Sequence, residues 1–280
     1  MNTILVPTDF SENAFVAARY AAAITHFLEI PRIILYHSYL FIPSATEIPI
    51  PEASSEMLRV ESIKELSRIK EGLSPMVNHH TRIDTIADDR PLLTAVNEMC
   101  KKEQVDLLVA GITGRNRIEK ALIGSNALEM ARESRIPLMI VPKGITFQKV
   151  ERIVFACDLR NISETTPVNI IKQVTNIFKS KLSVLHIDTK KSSKLNPDII
   201  LEQNALIKLW GEDQPEYYYA DNEDIAEGIM KFAHEQQAQL IITVPRKYRF
   251  LESLFHRSLS KRLAFKTDIP ILLLREKHSK

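Results

Sequence analysis

Three of the seven glycines in this chain lie close together with a serine, in a pattern that suits the binding of phosphate. Gly111 ends the apolar run 107–110, Gly114 follows it, and Gly124 and Ser125 then open a segment with helical apolar spacing. A ligand can approach glycine closely because glycine has no Cβ, and the free N–H groups at a helix N-terminus favour an anion. The succession of strand, glycine loop and helix therefore indicates a site for phosphate groups.

The spacing excludes two common phosphate-binding motifs. A P-loop needs a lysine directly before its serine or threonine, whereas Ser125 is preceded by glycine. The dinucleotide fingerprint Gly-x-Gly-x-x-Gly is also missing from the sequence. One alternative stays open, in which Gly111 only ends a strand and Gly124 only begins a helix.

Composition places the chain among soluble globular proteins. It has 280 residues, of which 45% are hydrophobic and 26% charged, and this length allows one large domain or two ordinary ones. A net charge of +2 provides no field for nucleic acid or anionic membranes, and neither a membrane span nor a signal peptide is evident. Cys100 and Cys157 lack metal-ligand spacing and are expected to be core residues. We therefore expect a cytoplasmic protein that binds neither nucleic acid nor membrane.

The chain contains an internal repeat of alternating strands and helices. Such alternation predicts right-handed βαβ units in a parallel sheet. A strand that ends in Asp9 recurs as one that ends in Asp158, and His37 and His186 follow these acids at the same separation of 28 residues. Two tandem α/β domains are therefore predicted. Their expected bounds are residues 1–146 and 150–280.

Motif and repeat together resemble the universal stress protein family. The run Gly111-x2-Gly114-x9-Gly124-Ser125 is similar to the nucleotide-binding signature of that family, without a gap or substitution. The resemblance covers nearly the whole chain. It implies two doubly wound, parallel, five-stranded sheets of strand order 3-2-1-4-5, an adenine nucleotide alpha-hydrolase-like fold. It also implies an intrachain pseudo-dimer, and it leaves homodimerisation of the chain open.

The same resemblance implies that the first domain binds ATP, AMP or ADP. Asp9 would accept hydrogen bonds from ribose or adenine, with a helix N-cap as the alternative role, and the backbone of Ser38 would contact adenine. Ser125 would bind phosphate or cap a helix, Arg115 would add charge there or lie in a solvated loop, and His37 is expected to be structural. Mg²⁺ is compatible with this site, although no dedicated ligand is visible. The predicted binding residues are Pro7, Thr8, Asp9, Ser38, Gly111, Gly114, Arg115, Gly124, Ser125 and Asn126.

The second domain departs from the motif. Counting back from the last strand places Val244, Lys247 and Arg257 where the first domain has its glycines, and keeps only Ser258. Side chains at these positions would fill the space that a phosphate needs, so this domain is predicted not to bind ATP in the usual way of the family. The basic loop 246–257 is expected to be solvated, with an anion or partner site as the alternative.

A regulatory role is the function that this pattern favours. No paired carboxylates, metal-ligand cluster or activated nucleophile is evident in the sequence, so no catalytic or metal-binding residue is assigned. A slow ATPase or nucleotidyl-transfer enzyme stays open, because positioning alone can catalyse phosphoryl chemistry. A nucleotide-free interaction module is the other alternative. The prediction is a stress-response protein that binds an adenine nucleotide and acts through an unidentified protein partner.

Overall fold

The chain divides into two compact α/β units, Met1–Phe147 and Gln148–Lys280. The computed structural model describes residues 1–39, 52–112, 127, 130, 134–189, 197–212, 215–244 and 267–276. Within these ranges, no helix has both the length and the apolar character that crossing a bilayer requires.

The first unit is a five-stranded parallel sheet flanked by helices. Its strand order is β3-β2-β1-β4-β5, and every pair of neighbouring strands is parallel. This arrangement confirms the predicted fold class and strand order. The elements are β1 (Thr3–Pro7), α1 (Glu12–Leu28), β2 (Arg32–Ser38), α2 (Glu52–Leu73), β3 (Arg82–Asp88), α3 (Leu92–Lys102), β4 (Leu107–Gly111) and β5 (Leu138–Val141).

Continuous apolar runs form the central strands because both faces of the sheet are covered. The run Ile33–Tyr36 in β2 is fully buried, as are Ile4, Leu5 and Val6 in β1. Between β4 and β5, Ala127 and Met130 are helical and buried. The alternation of strand and helix in the sequence is therefore reproduced as layers around one core in this unit.

Helix α1 begins after Ser11, whose Oγ accepts a hydrogen bond from the backbone N–H of Ala14 at 3.2 Å. The face of α1 that meets the sheet consists largely of alanine, which allows a close approach. The approach is close at Gly111, where an added Cβ would lie 2.6 Å from the carbonyl carbon of Asn13. Gly111 is therefore required for the packing of α1, whatever else it does. The alanines buried in this face are Ala14, Ala17, Ala18, Ala21 and Ala22.

The second unit repeats the topology of the first. Its strand order is β8-β7-β6-β9-β10, again with parallel neighbours. The elements are β6 (Arg152–Ala156), α4 (Ile162–Thr165), α5 (Val168–Phe178), β7 (Lys181–Asp188), α6 (Pro197–Trp210), β8 (Glu216–Asp221), α7 (Ile225–Glu235), β9 (Leu240–Thr243) and β10 (Ile271–Leu273).

Strand register allows the two units to be compared position by position. Ile4 pairs with Leu107 in the first unit, and Ile153 pairs with Leu240 in the second. The fourth residue after Leu107 is Gly111, and the fourth residue after Leu240 is Val244. The register therefore places Val244 at the position of Gly111, as counting along the sequence predicts.

The helix that follows β6 is interrupted, whereas α1 is continuous. Pro167 separates α4 from α5, and proline both lacks the N–H that an α-helix uses and disfavours helical backbone in the residue before it. A first turn packed like that of α1 would also meet the side chain of Val244 in the second unit. The interruption therefore occurs in the unit that has lost the glycine.

Candidate functional site

A cleft of about 310 Å³ lies at the carboxyl edge of the first sheet. It lies where the strand order reverses between β1 and β4, which is the place where open α/β sheets hold ligands. Its volume is at the lower end of the range for small-molecule sites. Three strand ends bring five of the predicted binding residues to this one cleft. They are Pro7, Thr8, Asp9, Ser38 and Gly111.

The cleft also contains residues that sequence reasoning did not single out. Ser11, Asn13 and Ala14 contribute from the start of α1, and Leu92 contributes from the start of α3. Their position in the sequence could have identified them, because they come soon after the carboxyl end of a strand. The rest of the described lining consists of His37, Ala110, Ala127 and Met130. Five predicted residues, Gly114, Arg115, Gly124, Ser125 and Asn126, lie outside the described residues, as does the basic loop 246–257.

Asp9 is exposed at the cleft, and one of its two carboxylate oxygens accepts a hydrogen bond within the protein. Its Oδ1 accepts a hydrogen bond from the backbone N–H of Ser11 at 3.0 Å. No ion pair to Asp9 is formed by the described part of the chain. The N-cap of α1 is Ser11, so the alternative N-cap role for Asp9 is wrong. One carboxylate oxygen therefore remains as an acceptor for a ligand.

The turn that presents Asp9 is held by its two neighbours. Thr8 Oγ1 accepts a hydrogen bond from the backbone N–H of Phe10 at 3.1 Å. Phe10 has a φ of 63°, in the left-handed region that non-glycine residues seldom occupy. Its ring lies against that of His37, with 4.1 Å between the ring centroids. Because Phe10 keeps this unfavourable backbone conformation, its surroundings must hold it there. Phe10 in turn fixes the position of Asp9.

His37 makes a hydrogen bond that is repeated by the equivalent histidine of the second unit. Its Nδ1 lies 2.7 Å from the carbonyl oxygen of Thr8, and Nδ1 of His186 lies 3.0 Å from the carbonyl oxygen of Cys157. A carbonyl oxygen can only accept, so each Nδ1 donates. Because the second unit keeps this bond after losing the glycine motif, the comparison supports a structural role for His37.

Ser38 connects the cleft to the segment between β3 and α3. Its Oγ donates to the carbonyl oxygen of Arg90 at 2.7 Å. The guanidinium of Arg90 is held by Asp88, with 2.9 Å from Nε to each carboxylate oxygen, and also by Glu98. Hydrogen bonding from Arg90 holds the pKa of the Asp88 carboxyl below its usual range. This network fixes one rim of the cleft.

The Asp88–Arg90 pair makes a testable contribution to acid stability. A carboxyl whose folded-state pKa is depressed stabilises the protein above its unfolded pKa of about 3.9, and this contribution is lost as the pH falls through the folded value. Arg90→Ala is therefore expected to lose less stability than the wild type when the pH falls from 5 to 3. Urea unfolding followed by circular dichroism at each pH measures this difference. Lys149→Ala, which breaks an exposed pair with Glu151, serves as the control. Equal acid dependence in wild type and Arg90→Ala would contradict the assignment.

The described cleft offers hydrogen-bonding groups beside apolar surface. Within the described ranges, no group of three or more His, Cys, Asp or Glu residues is arranged to hold a metal ion. Burial raises the pKa of the Cys100 thiol to about 11, so this thiol stays protonated at neutral pH. The cleft instead combines the Asp9 carboxylate and the Thr8 hydroxyl with apolar surface from Leu92 and Met130. This combination suits a ligand that has both hydrogen-bond donors and an apolar face.

The second unit keeps the acid but not its surroundings. Asp158 stands at the position of Asp9, since Ile4 and Ile153 are equivalent in the register. Strand pairing with β2 and β7 places Ile187 where the first unit has Ser38. Together with Val244 in place of the glycine, this substitution makes the second carboxyl edge bulkier and less polar.

Comparisons with known proteins agree with this architecture. The family model described as the universal stress protein family matches residues 1–142. A curated universal stress protein of Methanocaldococcus jannaschii is 27% identical over 146 residues, which cover 50% of this chain and 81% of that protein. The crystal structure of a universal stress protein from Archaeoglobus fulgidus covers 98% of both chains with a TM-score of 0.70 at 15% identity. A protein of unknown function from Pseudomonas aeruginosa covers 99% of this chain and 93% of its own, with a TM-score of 0.56 at 13% identity. At these identities the two structures establish the fold, and the family model, which spans half of the sequence, establishes that the chain belongs to the universal stress protein family.

Proposed function

We propose that the first unit binds an adenine nucleotide, ATP or alternatively AMP or ADP, in the cleft between β1 and β4. The observation that carries this proposal is the meeting of Asp9, Ser38 and Gly111 around one cleft at the switch point of the sheet. The sequence adds a phosphate-binding pattern at Gly114, Gly124 and Ser125, on the segment that follows β4. In this arrangement Asp9 accepts hydrogen bonds from the nucleoside and the glycine loop binds the phosphates.

The second unit acts in this proposal as a partner domain that does not bind a nucleotide. Val244 and Ile187 support this assignment, because they put bulky apolar side chains where the first unit has a glycine and a serine. The proposed bounds are residues 1–146 for the binding domain and 150–280 for the degenerate one. Within one chain, the second domain would take the place of the second subunit of a dimer.

The proposed role is regulatory, in a cytoplasmic response to stress. Family membership supports the stress-related role. The chain's two cysteines, Cys100 and Cys157, are buried in different units, which supports a reducing compartment. Nucleotide binding would change the surface that a partner protein contacts.

Thermal unfolding with and without ATP tests the proposal. Saturation at one hundred times the dissociation constant is expected to stabilise the binding unit by about 2.7 kcal/mol. AMP and ADP measured in parallel rank the nucleotides, and chromatography of the incubated ATP detects turnover. No stabilisation at millimolar ATP, with no nucleotide co-purified, would favour an interaction module. Production of ADP or AMP in excess of the protein would favour an enzyme.

A further inference from the structure

Asn13 has an amide oxygen that the folded protein does not use. The residue lies in the first turn of α1 and lines the cleft. Its Oδ1 is buried and has no hydrogen-bond partner in the described structure. Buried polar atoms are nearly always paired, so an unpaired one in a cleft needs an explanation. Alanine would form the helix better and would remove the unpaired oxygen, and so helix stability does not explain the asparagine.

The position of Asn13 relates it to the two strand ends that form the cleft. Its backbone lies directly against Gly111, at the end of β4, since an added Cβ on that glycine would be 2.6 Å from the Asn13 carbonyl carbon. Ser11, the N-cap of the same turn, donates its backbone N–H to Asp9 at the end of β1. The first turn of α1 therefore contacts both strand ends. Asn13 packs against Gly111 at the end of β4, and Ser11 is hydrogen-bonded to Asp9 at the end of β1.

The chemistry of the unpaired group restricts what it can bind. An amide oxygen and a carboxylate oxygen both accept hydrogen bonds, so they require donors from the ligand. Ionised phosphate groups offer acceptors only. A ribose offers two adjacent hydroxyl donors, which match two acceptors that line the same cleft.

We propose that Asn13 is a ligand-binding residue that accepts a hydrogen bond from a ribose hydroxyl and, with Asp9, selects ribonucleotides over deoxyribonucleotides. This inference rests on the proposed nucleotide site and adds to it the Asn13 amide oxygen, as a group that recognises the sugar. In the free protein the amide oxygen stays buried and unpaired, and the bound ribose supplies its donor.

Calorimetric titrations of the full chain with ATP, 2′-deoxy-ATP and 3′-deoxy-ATP test the proposal. The wild type is expected to bind ATP roughly tenfold more tightly than at least one of the deoxy analogues, as one hydrogen bond implies. In Asn13→Ala the affinity for ATP is expected to fall by a similar factor. Discrimination against the analogue that lacks the hydroxyl bound by Asn13 is expected to disappear, whereas discrimination due to Asp9 remains. Asn13→Asp retains an acceptor and is expected to retain the discrimination. Glu12→Ala, in the same turn but paired with Lys143 outside the cleft lining, is expected to bind like the wild type.

Thermal unfolding of the free variants separates a ligand role from a structural one. Asn13→Ala is expected to melt at the wild-type temperature or above it, because it removes an unpaired buried atom and favours the helix. A lower melting temperature would assign Asn13 a structural role and overturn the inference. Unchanged ATP affinity in Asn13→Ala, or wild-type discrimination against both deoxy analogues, would overturn the inference alone. Failure of the wild type to bind ATP at all would overturn the proposed function together with the inference.

Discussion

Replacement of Gly111 by alanine is expected to lower the free energy of unfolding of the first unit by about 1–3 kcal/mol, the usual range for an overpacked site. The physical reason is the backbone of Asn13, whose carbonyl carbon would lie 2.6 Å from the new Cβ. Backbone at the start of a capped helix cannot move aside as a flexible side chain can. Hydrogen exchange of the buried amides of β1 and β4 measures the loss in this unit alone.

Gly72→Ala is the matched control for this substitution. Gly72 lies in α2, and a Cβ added there meets nothing within 4 Å. Alanine in a helix interior is more stable than glycine by about 0.5–1 kcal/mol, so this variant is expected to be slightly stabilised. Fluorescence of Trp210, the single tryptophan of the chain, monitors the second unit in both variants. A stable Gly111→Ala variant would show that α1 does not need this close approach.

Asp9→Ala is expected to reduce the affinity for ATP by roughly 10- to 100-fold. Hydrogen bonds to a charged group contribute about 1.5–3 kcal/mol, and each 1.4 kcal/mol is a factor of ten in the dissociation constant. The carboxylate also holds the turn through the backbone N–H of Ser11. Asp9→Asn keeps an acceptor for that bond, and so its remaining loss of affinity reports the contribution of the charge. Isothermal titration calorimetry provides the affinities.

Asp158→Ala provides the control within the same chain. Asp158 occupies the position of Asp9 in the second unit, beside Ile187 and Val244 in place of serine and glycine. Its replacement is expected to leave ATP affinity unchanged. An equal loss of affinity in both variants would contradict the assignment of different roles to the two units.

Most of the fold follows from local patterns in the sequence. The run Ile33–Tyr36 is apolar on both faces, as a central parallel strand must be, and it is fully buried in the structure. The two matched Asp-to-His separations correspond to repeated strand pairs with a repeated histidine hydrogen bond. Strand β8 was not singled out, because its three consecutive tyrosines, although favourable in strands, do not alternate with polar residues. The interruption at Pro167 was also missed, since comparison of strand ends says nothing about the helix between them.

The site was only partly predictable because its residues act through tertiary contacts. Asp9 and Ser38 could be found at strand ends, where chain order alone indicates the carboxyl edge. Gly111 was identified from its type, but the backbone of α1 packed against it could not be read from spacing. Asn13 was missed for a similar reason. A polar residue in a first helical turn is ordinary, and only its burial without a partner distinguishes it.

A crystal structure of the full chain with ATP tests the central claim most directly. We expect one nucleotide per chain, in the first unit, with its sugar near Asp9 and its phosphates on the segment that follows Gly111. We also expect the carboxyl edge of the second sheet to be free of nucleotide. Density for ATP in the second unit alone, or in neither unit at saturating concentration, would contradict the proposed division of roles.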